Sequence, residues 1–156
     1  MPGNAAIIRR GYEAFNRGDL ATLTELFGDN VSWHTPGRSP LAGDVVGREA
    51  VFARLGRYLA ETGGTFRADL KRVLTDEDGR VIGIHHNVAK RAGKHLDVYC
   101  RIVFELENGR IVDGREHFYD LHAWDEFWSW SRQPRFQGMT PWRLQQALAA
   151  NPSGWV

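Results

Sequence analysis

An α+β fold, with a curved antiparallel sheet wrapped around three N-terminal helices, follows from three observations. Apolar residues recur at helical spacing through about the first 60 positions. From residue 66 the period changes to two, in runs punctuated by Asp78-Gly79, Ala92-Gly93 and Asn108-Gly109, pairs that suit tight turns. These links are too short for a crossover helix, so consecutive runs pair as an antiparallel meander.

Each element has its own signal. Residues 4–17 put Ala5, Ile8, Tyr12 and Phe15 on one helical face, and Gly18 ends the run. Asp19 caps a second helix at 20–27, whose stripe is Leu20, Leu23, Leu26 and Phe27 and whose stop is Gly28. A short strand at 31–35 ends at Pro36-Gly37, and a loop runs through Gly43. Val51, Phe52, Leu55, Tyr58 and Leu59 define a third helix at 48–61, closed by Gly63-Gly64. Strands are expected at 66–74, 80–89, 95–106 and 110–121. The segment 123–130 then carries Trp124, Phe127, Trp128 and Trp130, of which the first three are read as core or dimer packing with a lid as the alternative. Thr140-Pro141 opens a last helix reaching about Ala150. The chain divides into one domain at 1–130 and an extension at 131–156 that docks on the core or on a partner subunit.

Composition excludes several classes of function. The 156 residues are 42% hydrophobic and 25% charged, as in ordinary soluble domains. Twenty Lys and Arg against nineteen Asp and Glu give a net charge of +1, so there is no electrostatic footprint for nucleic acid. No stretch approaches the roughly 20 apolar residues of a membrane span. Arg9 and Arg10 interrupt the N-terminal apolar run, which argues against a secretory leader. The single cysteine, Cys100, excludes an internal disulfide and a multi-cysteine metal site. A cytoplasmic protein without metal or cofactor is expected.

Alternation places the candidate chemistry. In residues 95–106, Leu96, Val98, Cys100, Ile102, Phe104 and Leu106 share a face that turns toward the helices, which makes Cys100 a core residue. Asp97, Tyr99, Arg101 and Glu105 share the other face, either a homodimer surface or a solvated one. His85 and His86 are adjacent, so only one enters the space beneath the sheet, and two such residues do not ligate one metal. Periodicity alone favours burying Ile82, Ile84, His86 and Val88 and leaving His85 outside. In the last strand Val112, Gly114, Glu116, Phe118 and Asp120 share one face and Ile111, Asp113, Arg115, His117 and Tyr119 the other. A carboxylate beside Phe118 is partly desolvated, which raises its pKa and suits Glu116 to proton transfer; the plain alternative is an ion pair with a nearby arginine.

Several motifs together carry a resemblance. Asn16-Arg17-Gly18-Asp19-Leu20 lies between two helices, and Trp33-His34-Thr35-Pro36-Gly37 precedes a loop containing Leu41-Ala42-Gly43. Gly47-Arg48 opens the third helix, and Asn108-Gly109-Arg110-Ile111 forms the last hairpin. Over residues 4–130 the chain resembles the SnoaL-like branch of the nuclear transport factor 2-like superfamily, which includes ketosteroid isomerase-related proteins and polyketide cyclases. The resemblance implies a cystatin-like cone with an apolar pocket, and many relatives dimerise through the outer sheet face. It implies pocket positions at Tyr12, Phe15, Trp33, Thr35, Tyr58, Asn87, Val98, Cys100 and Phe118, and it turns His85 inward. The isomerase aspartate before the first-strand proline is absent, since Thr35 stands there, and the epoxide-hydrolase Arg-x-Asp pair is replaced by Gly83 and His85. The single acidic residue of the cyclases is matched by Glu116 or Asp120.

The resulting expectation is a cofactor-independent acid/base enzyme, with catalytic Glu116, His85 and Asp120, acting on a hydrophobic small molecule by cyclisation, isomerisation, dehydration or hydrolysis. The alternative is a non-catalytic binding or dimerisation module.

Overall fold

The computed structural model describes residues 3–129, so the expected helix ending near Ala150 and the whole segment 131–156 lie outside the described residues. Helix α1 (Asn4–Arg17) ends where Gly18 adopts a left-handed conformation. Asp19 caps α2 (Leu20–Leu26), accepting from the Thr22 amide at 3.1 Å. Asn16, just before this turn, holds α1 to the sheet: its amide donates to the Ala68 carbonyl and accepts from the Ala68 N–H, both at 2.9 Å.

Strand β1 (Phe27–Thr35) starts at once, so Phe27 and Gly28 are strand and not the end of a helix. Phe27 pairs with Ile111, and tertiary pairing overrides the helical spacing of its side chain. Beyond the loop, β2 (Gly43–Val46) pairs with β1, an edge strand inside a segment expected to be irregular. Helix α3 (Arg48–Ala60) follows Gly47. Arg48 at its start pairs with Asp29 at 2.9 Å and donates to the Phe27 carbonyl at 3.3 Å, fixing α3 against the start of β1.

The meander consists of β3 (Arg67–Thr75), β4 (Val81–Arg91), β5 (Lys94–Glu107) and β6 (Arg110–Phe118). Ala92 and Asn108 have φ of 50° and 52° and their following glycines 78° and 76°, the backbone of two-residue hairpin turns that match strand twist. The sheet order is β2-β1-β6-β5-β4-β3. The meander is antiparallel as expected, but β1 joins it parallel to β6.

These turns set which face is buried. Across the β4–β5 pair, Gly83, His85, Asn87 and Ala89 stand opposite Ile102, Cys100, Val98 and Leu96, and directly opposed residues share a face. The strongly apolar inner row of β5 therefore draws in the more polar row of β4. His85 is 3% exposed, while Ile82, Ile84 and His86 face outward, contrary to the periodicity of β4 alone. On β6 the ladder steps from Asp113 to Ile111 against Glu105 and Leu106, so Val112 is an extra residue in a bulge. The bulge turns Ile111 inward, on the same side as Gly114 and Glu116.

Helix α4 (Leu121–Trp128) closes one end of the sheet. Trp124, Phe127 and Trp128 are buried, Phe118 stacks on Trp124 with ring centroids 3.9 Å apart, and Tyr58 meets Trp124 and Trp128 at 5.4 Å each. Arg91 donates to the Phe127 and Ser129 carbonyls and Lys94 to that of Glu126, so cations occupy the negative end of the helix. Among the described residues no helix is long and apolar enough to cross a membrane.

Candidate active site

The space between the sheet and α1–α3 holds a cavity of about 60 Å³, less than half the roughly 150 Å³ of a cavity that admits benzene. Ile102 and Phe104 from β5 form part of its wall, with Tyr12 and Phe15 from α1 and Tyr58 from α3. The polar groups that reach it are Tyr12, Trp33, Tyr58, His85, Asn87 and Glu116; no lysine or arginine lines it among the described residues.

Glu116 is 4% exposed, and three donors converge on its Oε1: Thr35 Oγ1 at 2.6 Å, Trp33 Nε1 at 2.9 Å and the Tyr58 hydroxyl at 2.9 Å. Among the described residues Oε2 has no hydrogen-bond partner. The local sequence explains the geometry. Trp33 stands opposite Gly114 in the β1–β6 pair, and a Cβ there would overlap the indole ring, so only glycine lets Trp33 lie across β6 and reach Glu116. Burial pushes the Glu116 carboxyl above the ordinary glutamate range, and the bonds from Thr35, Trp33 and Tyr58 pull it only partly back. With Oε1 saturated by donors, the proton of the neutral form resides on Oε2.

The second polar group is the pair Tyr12 and His85, with Tyr12 Oη 2.7 Å from His85 Nδ1. A Cβ at Gly83 would lie 2.7 Å from the Tyr12 hydroxyl, so this glycine clears the path to the ring. The hydroxyl has no other acceptor among the described residues. In the tautomer in which the hydroxyl donates to Nδ1, the imidazole proton lies on Nε2. Burial lowers the His85 pKa to about 4, and Tyr12 is raised well above its usual value, so both are neutral at neutral pH. β4 and β6 are separated by β5, which puts their backbones roughly 10 Å apart, so Glu116 and His85 line one cavity from the same face of the sheet, two strands apart.

Other expected site residues lie elsewhere. Thr35 acts on Glu116 without lining the cavity, and Phe118 packs on Trp124. Val98 and Cys100 are buried but off the cavity wall, and desolvation keeps the Cys100 thiol protonated. Asp120 is exposed and caps α4 by accepting from the Ala123 amide at 3.0 Å. Strand β6 ends before Asp120, so its side chain is not carried to the cavity with Glu116. The clearances at Gly83 and Gly114 went unseen in the sequence, where a strand glycine signals close backbone approach without naming what approaches.

A family model described as a SnoaL-like domain matches residues 8–114. The chain belongs to the SnoaL-like family. Among SnoaL-like relatives, an uncharacterised protein of Mycobacterium tuberculosis is 40% identical over 123 residues, covering 79% of this chain and 94% of its own. The structure of Bal32a, from a soil-derived mobile gene cassette, matches with a TM-score of 0.79 and 70% identity, covering 80% of this chain and 95% of that one. IdmH of Streptomyces antibioticus, a candidate polyketide cyclase, shares the fold with a TM-score of 0.62 and 21% identity, covering 75% of this chain and 92% of its own.

Proposed function

We propose that this SnoaL-like protein is a cofactor-independent acid/base enzyme that moves a proton on a compact, largely apolar carbonyl compound, with Glu116 as the proton-transfer group. The observation that carries this reading is the asymmetry of the Glu116 carboxyl: Oε1 is held by three donors and Oε2 by none among the described residues. A carboxyl held this way is oriented for proton exchange at one atom, and its raised pKa brings its two protonation states closer to neutral pH. His85 is neutral, and in the tautomer protonated on Nε2 it supplies a donor for a developing enolate oxygen in the same cavity. The family's cyclases and isomerases do chemistry of this kind, in keeping with the reading.

The test is exchange of the C3 protons of butanone in D2O, followed by NMR. The wild-type chain accelerates exchange, and Glu116→Gln, which keeps the acceptor oxygen for Trp33, Thr35 and Tyr58, loses the rate by about 10²- to 10⁴-fold. Equal rates in the two proteins would sink the proposal. A binding module is the second reading, favoured by the small volume of the cavity; it predicts saturable ligand binding with no exchange in either protein.

A further inference from the structure

Asn87 is the one polar residue on the cavity wall with no role so far. It is 1% exposed, and among the described residues neither its Oδ1 nor its Nδ2 has a hydrogen-bond partner. His85 is the preceding inward residue on β4, and the Asn87 amide lies close enough to its ring to act against burial and raise its pKa, though neither amide atom meets hydrogen-bond geometry with the ring. A buried amide without partners costs stability, roughly 1–3 kcal/mol in typical cases, and such groups persist where function uses them. The amide presents a donor and an acceptor side by side on the wall of an otherwise apolar cavity, and His85 Nε2–H adds a donor next to it.

We propose that Asn87 orients the ligand through a paired hydrogen bond, and that the ligand is a neutral molecule bearing an acceptor and a donor on neighbouring atoms, as in a carboxamide, a lactam or an enolised dicarbonyl. Neutrality follows from the lining, which among the described residues includes the Glu116 carboxyl and no cation. Smallness follows from the volume of about 60 Å³. The inference rests on the reading of this cavity as the substrate site and assigns it a substrate class. A ketone meets only the donor half of the Asn87 amide and leaves Oδ1 unpaired, whereas the matched ligand satisfies both atoms.

The experiment titrates the full-length, ¹⁵N-labelled chain with acetamide and, separately, acetone, which have the same number of heavy atoms. The Asn87 side-chain amide signals shift with acetamide, which binds at least about tenfold tighter than the more apolar acetone. Asn87→Leu, similar in volume, abolishes that preference and raises the melting temperature by about 2–4 °C or more, because it removes an unpartnered polar group. Equal binding, preference for acetone, or no binding of either compound to the wild-type chain overturns the proposal. So does an acetamide preference retained in Asn87→Leu, or a melting temperature lowered by that change, which marks the amide as partnered within the fold. Glu116→Gln keeps the preference while losing proton exchange. A failure of the acid/base reading is thus seen separately from a failure of this one.

Discussion

Side-chain placement in this cavity depends on what is absent from two neighbouring positions. Gly114 makes room for the Trp33 indole and Gly83 for the Tyr12 hydroxyl, and each of these groups touches one of the two titratable residues. Gly114→Ala overpacks the wall, at a typical cost of about 1–3 kcal/mol, and displaces the Trp33 donor from Glu116. A urea melt is expected to show that loss together with slower butanone exchange; unchanged stability and rate would mean that the ring has room to shift. At this scale the sequence was partly legible. Glu116, Tyr12, Phe15, Trp33, Tyr58, His85 and Asn87 stand on the cavity wall as the resemblance implied. Ile111 was assigned to the wrong face because a one-residue bulge at Val112 inverts alternation and leaves no mark in a single sequence. Asp120 was misplaced for a related reason, since strand spacing was extended past Phe118 into a helix cap.

Between elements, polar clamps fix how the pieces of the cone meet. Asp125 of α4 accepts from the Arg38 and Ser39 amides at 3.0 and 3.2 Å and holds the loop after Pro36 against the end of the sheet. His34 of β1 ties the parallel pair to the edge, with Nε2 2.7 Å from Asp113 of β6 and Nδ1 2.9 Å from Asp44 of β2. Burial opposes protonation of His34, but the two carboxylates outweigh it and raise its pKa above 6.5, with Arg115 working against them. A raised folded-state value means the pairing is fully present below the unfolded pKa of 6.5 and is lost as pH rises through the folded value. The stability difference between wild-type and His34→Gln is therefore expected to shrink as pH rises from below 6.5 to above it in guanidinium melts. A difference that grows over that range would reverse the assignment. The three N-terminal helices and the four meander strands could be read from period and turn chemistry. β2 could not, because four residues, Gly43–Val46, give too short a pattern and pair only with a partner already in place.

For the whole molecule, the cone brings together residues from α1, α3, β1, β4 and β6 that are far apart in the chain: Tyr12 and His85 are 73 residues apart, and Trp33 and Glu116 are 83. The α+β class was legible because helix-then-meander order and the hairpin turns are local signals, and the family through the short motifs that carry the resemblance. The parallel β1–β6 pairing was not, since it joins the two ends of the fold and no local pattern encodes it. That pairing nevertheless builds the site, because it delivers Trp33 and Thr35 to Glu116. The proposed function requires that the desolvated Glu116 carboxyl take part in proton transfer. The direct measurement is an NMR titration of the Glu116 side-chain carboxyl in the full chain, set beside the pH dependence of butanone exchange. Acting as base, Glu116 gains its active form as pH rises, so the rate should climb through the same midpoint as the carboxyl signal, and that midpoint should lie above 4.5. A midpoint at or below 4.5, or a rate that ignores it, contradicts the proposed function.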